Sequence, residues 1–281
     1  MLRWGELQHS RAFHCSRDRR ELRAVVRPVI VDTMSSVMII TGASRGIGAA
    51  TALLAAERGY AVVVNYRRDA ASAAAVVGRV QARGGRALAV QCDVGRSEDV
   101  MRLFAQADAA LGPVTALVNN AGIVAPSARV EDIDGARLTR MFAVNVAGSF
   151  LCARAALLRM STRHGGSGGS IVNVSSAAAK HGSAGEYVDY AASKAAIDTF
   201  TLGLAREVAS EGVRVNAVRP GIIQTEIHAT SGNPERAIKL GPTLPMQRAG
   251  QPSEVAAAIL WLCSKEASYC SGSILDVGGG R

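Results

Sequence analysis

The feature that most constrains this chain is a regular alternation of short β-branched runs with longer Ala-rich amphipathic stretches, starting at Val37 and lasting to the C-terminal end. The short runs fall at 37–40, 61–64, 87–90, 116–118, 170–174, 213–218 and 273–277. The helical stretches between them cover 46–58, 70–83, 97–111, 134–160, 190–210 and 252–263. A helical crossover is the connection that parallel pairing requires. The runs are also near-continuously apolar, as strands buried on both faces are. The pattern predicts a parallel sheet covered by helices on both faces. Gly165-Gly166-Ser167-Gly168-Gly169 reads as a loop before the fifth strand, because the alternation continues across it.

Composition narrows the function classes. With 281 residues, 48% of them hydrophobic and only 4% aromatic, the chain suits one α/β domain with an Ala/Val/Leu/Ile core. No uninterrupted apolar run approaches the roughly 18 residues of a membrane span. The net charge is +9, of which residues 1–34 contribute +3 and the remainder +6. The arginines are dispersed and form no basic stripe interleaved with aromatics, which argues against nucleic acid as a partner. Five cysteines, Cys15, Cys92, Cys152, Cys263 and Cys270, show no metal-ligand spacing and read as free thiols in a reducing cytoplasm. Residues 1–34 lack any sustained period and are Arg-rich. They read as an extension ahead of a domain at 35–281: a start assigned upstream of Met34, a disordered segment, or a transit peptide. Glu6, Asp18, Glu21 and Asp32 weigh against the last of these.

Thr41-Gly42-Ala43-Ser44-Arg45-Gly46-Ile47-Gly48 follows the first strand and opens the first helix. Small residues there let the backbone approach a pyrophosphate at the helix N-terminus, where free amides and the helix dipole favour anions. The spacing is G-x-x-x-G-x-G rather than G-x-G-x-x-G, so its position between strand and helix carries the argument. At the end of the second strand an acid would hold the ribose hydroxyls of NAD, whereas arginine accommodates the 2′-phosphate of NADP. The chain reads Val64-Asn65-Tyr66-Arg67-Arg68, with Asn65 where the acid is expected and Arg45 nearby, while Asp69 caps the next helix. NADP(H) is therefore favoured over NAD(H). Asp93 and Val94 end the third strand, and Asn119-Asn120-Ala121-Gly122 the fourth, both at the sheet edge where open α/β folds bind ligands.

Tyr190 and Lys194 stand four apart in a helical stretch and so share a face. A cation beside a phenol favours its ionised form, and a tyrosine tuned downwards could exchange a proton with a carbonyl or alcohol oxygen.

Taken together, Thr41–Gly48, Asn119–Gly122, Asn145, Ser176, Tyr190-x-x-x-Lys194 and Pro220-Gly221 resemble the classical short-chain dehydrogenase/reductase family, in family order and over the chain from about Val37 onward. The look is nearest to bacterial 3-oxoacyl-carrier-protein reductases and sugar dehydrogenases. The resemblance implies a single doubly wound Rossmann-type domain with seven parallel strands and a catalytic tetrad of Asn145, Ser176, Tyr190 and Lys194. By that resemblance Tyr190 is the general acid/base, and Lys194 lowers its pKa and binds the nicotinamide ribose. Ser176 polarises the substrate oxygen, and Asn145 holds a water that links Lys194 to solvent. The resemblance also sets Asn119 and Gly122 along the cofactor cleft, Asp93 at the adenine, and Ile223 and Thr225 at the carboxamide. It further implies a homotetramer or homodimer built through 134–160 and 190–210 and through the C-terminal strand. The family usually spaces serine and tyrosine by thirteen residues, and here that position is Ala177. Strand alignment selects Ser176, with Ser175 as the alternative. The function implied is an NADP(H)-dependent oxidoreductase acting on a small carbonyl or alcohol. The alternative is a catalytically silent NADP(H)-binding regulatory protein. Residues 226–248 read as a lid, with His181, Glu186, Tyr187, Asp189, His228 and Lys239 as candidates to face the substrate.

Overall fold

The computed structural model describes residues 36–281 of the chain, apart from the side chain of His228. The extension expected at 1–34 lies outside the described residues. Seven strands form one parallel sheet: β1 Val37–Ile40, β2 Ala61–Tyr66, β3 Ala87–Gln91, β4 Val114–Asn119, β5 Gly169–Val174, β6 Val213–Pro220 and β7 Ile274–Val277. Their order is β3-β2-β1-β4-β5-β6-β7. The chain winds outward from β1 to β3, then returns to pair β4 on the other side of β1. That reversal leaves a crevice at the carboxyl ends of β1 and β4.

The connecting helices are α1 Gly46–Glu57, α2 Ala70–Gln81, α3 Ser97–Leu111, α4 Gly135–Phe142, α5 Gly148–Met160, α6 Ala178–His181, α7 Val188–Val208, α8 Ile227–Thr230, α9 Arg236–Leu240 and α10 Pro252–Cys263. Because a strand's side chains alternate, β1 sends Val37 and Ile39 to one face and Met38 and Ile40 to the other. On the first face they meet Leu103 and Phe104 of α3, Cys152 and Ala156 of α5, and Leu204 and Val208 of α7. On the second they meet Ala52 and Ala55 of α1, Val76 of α2, and Val255 and Ile259 of α10. The near-continuous apolar strands of the sequence are thus buried on two sides, and small alanines let the helices lie close.

The helix expected over 134–160 is interrupted by one π-helical turn at Ala143–Ala147, so α4 and α5 are two segments of one rod. Such turns recur at functional sites. Gly135–Met160 is also long and apolar enough to cross a bilayer by length and composition. Its apolar residues are interrupted by Arg137, Arg140, Arg154 and Arg159, so it is not an uninterrupted apolar run. Half of its apolar window is buried, with Cys152, Ala153, Ala156 and Met160 packed in the sheet core, which is the role of a core helix.

Candidate active site

The crevice at β1 and β4 opens into a cleft of about 600 Å³ running along the carboxyl edge of the sheet. One wall is the turn from β1 into α1. Gly42 and Gly46 adopt left-handed backbone, with φ of 62° and 56°. A Cβ on Gly42 would stand 3.0 Å from the Ala121 Cα, and one on Gly46 would stand 3.3 Å from Thr225 Cγ2. The turn is stapled to β4. Thr41 Oγ1 accepts from the Asn120 and Ala121 amides at 3.0 and 2.9 Å. Asn120 Nδ2 in turn donates to the carbonyls of Thr41 and Gly42 at 2.8 and 3.0 Å. Ser44, Arg45, Gly46 and Ile47 line the opening, as do Ala121, Gly122 and Val94.

Two expectations for this end change in the structure, and a third residue, Asn65, lines the cleft with its polar atoms engaged elsewhere. Gly48 does not line the cleft: a Cβ there would come within 2.6 Å of both Asn120 Nδ2 and the Gly42 carbonyl, so its role is to let the turn close on α1. Asn119 is the last residue of β4 and points into the protein. Its amide donates to the Ser149 carbonyl at 3.2 Å and to Asn173 Oδ1 at 2.9 Å. The asparagine at the cleft is its neighbour Asn120, the first residue past the strand. Asn65 is only 2% exposed. Its Oδ1 accepts from the Gly42 amide at 3.0 Å, and its Nδ2 donates to the carbonyls of Val90 and Cys92 at 3.3 and 3.2 Å. Its polar atoms are therefore committed to the fold, and its neighbours Tyr66, Arg67 and Arg68 line the cleft together with Arg45.

Arg67 Nε lies 3.0 Å from Asp93 Oδ2, and Arg140 Nη2 of α4 reaches the same oxygen at 2.8 Å. Burial pushes the Asp93 carboxyl up, but Arg140, the Gly95 amide and Arg67 outweigh it and hold the pKa below the usual range. Arg140 carried no sequence signal, because its approach to Asp93 spans 47 positions.

At the other end stand Ser176, Tyr190 and Lys194, with Pro220, Gly221, Ile223 and Thr225 opposite. Lys194 is 4% exposed, and its Nζ donates to the Val174 carbonyl at 2.8 Å and lies 5.7 Å from the centre of the Tyr190 ring. Gly122 completes the enclosure, since a Cβ there would stand 3.3 Å from Nζ. Burial drives the Lys194 ammonium down to about 8, opposed by Asp198. Burial also raises the Tyr190 phenol, opposed by a hydrogen bond from Ser176. The expected lowering of the tyrosine by its lysine is therefore absent here: desolvation dominates, and the ammonium is directed at a backbone carbonyl.

Both serines line the cleft, with different partners. Ser175 is 2% exposed and its hydroxyl donates to the Lys194 carbonyl at 3.1 Å. Ser176 hydrogen-bonds to the phenol, and its oxygen accepts from the Ala178 amide at 3.1 Å. Asn145 lies in the π-helical turn behind the cleft wall. Its Oδ1 accepts from the Ile123 amide at 2.8 Å, and its Nδ2 donates to the Ile123 carbonyl and to Ser193 Oγ, both at 3.0 Å. The side chain thus pins the loop after β4 to α7.

In the turn after α6, Ser183 takes a φ of 47°. Among the candidates for substrate contact, His181 and Tyr187 line the cleft. Asp189 is instead paired with Arg137 through contacts of 2.7 and 3.1 Å. Lys239 pairs with Glu235 at 2.9 Å. Glu186 is gripped by Arg236 at 2.9 and 2.6 Å, and the guanidinium lies 5.2 Å from the centre of the Tyr187 ring. His228 lies outside the described side chains. Arg236, unforeseen in the sequence, ties the 226–248 segment to the loop before α7.

A doubly wound sheet whose crevice holds a glycine-rich turn defines a nucleotide-binding α/β protein. Residues 42–281 match the family model described as Enoyl-(Acyl carrier protein) reductase. The oxidoreductase YgfF of Escherichia coli (strain K12), itself uncharacterized, is 50% identical over 246 residues, covering 88% of this chain and 100% of the relative. A 3-oxoacyl-[acyl-carrier-protein] reductase of Synechocystis sp. is 38% identical, covering 88% of this chain and 96% of that protein. A short-chain dehydrogenase from Burkholderia cenocepacia J2315, solved in complex with NADP, superposes with a TM-score of 0.80 at 33% identity, covering 88% and 98% of the two chains. The chain belongs to the short-chain dehydrogenase/reductase family and is an oxidoreductase of that family.

Proposed function

We propose that this oxidoreductase interconverts a small carbonyl compound and a secondary alcohol, uses NADP(H) in preference to NAD(H), and employs Tyr190 as its general acid/base. The observation that carries this reading is the meeting of Ser176, Tyr190 and Lys194 in the same cleft as the Gly42–Ile47 turn. The turn suits a pyrophosphate, because two left-handed glycines and close packing on Ala121 leave room for backbone approach and none for a Cβ. Arg45, Arg67 and Arg68 at the cleft mouth suit a 2′-phosphate, and the Burkholderia relative is a complex with NADP. When bound, the nicotinamide supplies or accepts the hydride.

In reduction, Tyr190 donates its phenolic proton to the nascent alkoxide, and in oxidation the phenolate takes a proton from the alcohol. Ser176 donates a hydrogen bond to the substrate oxygen, where negative charge develops. Lys194 supplies a fixed positive charge beside the phenol and a donor for ribose hydroxyls. Asn145 acts by holding the Ile123 loop and α7 together. Free thiols fit a cytoplasmic setting; among the described residues Cys92, Cys152, Cys263 and Cys270 are unpaired. Exposed Leu138, Phe142, Phe150, Leu158 and Leu202 on α4, α5 and α7 favour a homo-oligomer, tetramer or dimer, sealed through those helices.

A panel of aldehydes, ketones, sugars and acyl thioesters, run with NADPH and NADH in parallel, tests the reading. Tyr190→Phe is expected to retain NADPH binding, followed by cofactor fluorescence, and to lower kcat on the best carbonyl by about a thousand-fold or more. Turnover by the Phe variant at the wild-type rate would remove Tyr190 from the chemistry. Tight NADPH binding with no turnover of any carbonyl by the wild type would favour the silent regulatory protein.

A further inference from the structure

Behind Lys194 runs a chain of alternating charges to which the proposed chemistry assigns no role. Asp198 stands one turn after Lys194 on α7, so the two share a face. Both are buried, at 7% and 4% exposure. Asp198 Oδ2 accepts from Arg219 Nε at 2.9 Å and lies 2.9 Å from Arg219 Nη2. Its other oxygen, Oδ1, is buried with no hydrogen-bond partner among the described residues. Arg219 Nη1 reaches Asp276 Oδ1 at 3.6 Å, and Asp276 Oδ2 receives Lys180 Nζ at 3.0 Å.

The four members come from four elements, and three of those elements carry the site. Asp198 shares α7 with Tyr190 and Lys194. Arg219 of β6 immediately precedes Pro220 and Gly221 at the cleft wall. Lys180 of α6 follows Ser176 by four residues, and Asp276 of β7 bridges the two cations. An exposed ion pair would add little. This one has side chains only 10% and 19% exposed and leaves one carboxylate oxygen unsatisfied, an arrangement that is costly unless it does something else. The contacts given for Lys194 Nζ among the described residues, the Tyr190 ring, the Val174 carbonyl and the Gly122 backbone, are uncharged. Asp198 is the carboxylate that acts on the ammonium, with Arg219, Asp276 and Lys180 beyond it.

We propose that Asp198 and Arg219 are positioning residues for the reaction: their ion pair holds the Tyr190–Lys194 helix in register with the segment after β6 and keeps a compensated carboxylate behind the Lys194 ammonium. This rests on the role given to Lys194 above, so its first test does not depend on turnover. The chain contains four lysines, Lys180, Lys194, Lys239 and Lys265, so ¹³C-lysine labelling gives few signals, each assignable by one substitution. The titration of Lys194 is followed by NMR in the full chain, in wild type, Asp198→Asn and Arg219→Gln.

Asp198→Asn removes the favourable charge and leaves Arg219 uncompensated, so Lys194 should titrate lower. Arg219→Gln frees the aspartate charge, so Lys194 should titrate higher. Shifts on the order of half a unit or more, opposite in sign, are expected. With the best carbonyl of the panel, the alkaline limb of kcat/KM for reduction should move the same two ways. A purely structural brace would lower the melting temperature in both variants without opposed shifts. Folded variants that leave Lys194 unmoved, or move it in one direction, overturn the proposal. If either variant fails to fold, Asp276→Asn, at the more exposed end of the chain, takes its place, and a downward shift smaller than that expected of Asp198→Asn supports the proposal while none overturns it. A wild type that turns over no carbonyl would sink the functional reading and leave the NMR result standing.

Discussion

Lys194 sits in an environment that opposes its charge. Its ammonium is nearly dry, and burial lowers its pKa from 10.5 to about 8. Between those values the unfolded chain holds a proton that the folded protein has released, so stability from this group rises with pH across that window. Below about pH 8 both states are protonated, and the full penalty of burying the charge stands. Lys194→Met should therefore be at least as stable as wild type at pH 7, by about 1 kcal/mol once the lost Val174 hydrogen bond is counted. The wild type should regain on the variant by a few kcal/mol at most towards pH 10. Urea denaturation at pH 7 and 9.5 checks both signs. Gly42 is strained in the other sense. With a φ of 62° and the Ala121 Cα 3.0 Å from any added Cβ, Gly42→Ala should cost about 1–2 kcal/mol in thermal stability and weaken NADPH binding at least ten-fold, read by melting and by cofactor fluorescence.

Among the elements, the end of β2 and the rod formed by α4 and α5 decide most. The β2 end presents Arg67 and Arg68 to the cleft, with Arg67 lying against Asp93. A charge-assisted contact to a phosphate is worth about 1.5–3 kcal/mol. The double variant Arg67→Ala/Arg68→Ala should thus raise the KM for NADPH by about ten- to a hundred-fold and leave that for NADH within about three-fold. Initial rates with the two cofactors measure the ratio. The π-helical turn at Ala143–Ala147 turns Asn145 inward to bond both backbone groups of Ile123. No periodicity argument reaches it, because a π turn adds a residue to the helical repeat only where packing and side-chain hydrogen bonds select it.

At the scale of the molecule, the open question of assembly has a physical handle. Phe150 is 49% exposed yet stacks on Phe200 at 3.8 Å between ring centroids, with Leu158 and Leu202 also exposed on α5 and α7. A patch of that kind on adjoining helices is expected to be covered by another subunit. Phe150→Glu should shift the protein to a smaller species in size-exclusion chromatography with light scattering, with the monomer fold retained by circular dichroism.

The legible part of this protein is what local chain chemistry decides. Strand and helix periods, the glycine turn after β1 and the βαβ rhythm are written within windows of a few residues, so the parallel two-faced sheet and the family follow from sequence alone. The Tyr190–Lys194 pair is legible for the same reason, since one helical turn sets it. Tertiary structure alone decided that Asn120 rather than Asn119 faces the cleft, and it gave Ser175 and Ser176 different partners. It also decided that Asn65 and Asn145 spend their amides on partners within the fold, and that Arg140 and Arg236 reach the site from distant segments. Those outcomes depend on the direction of single side chains and on contacts across dozens of residues. The protonation of Tyr190 and Lys194 belongs to the same class: the spacing of two residues sets their proximity, but the water removed around them is a property of the whole packed fold.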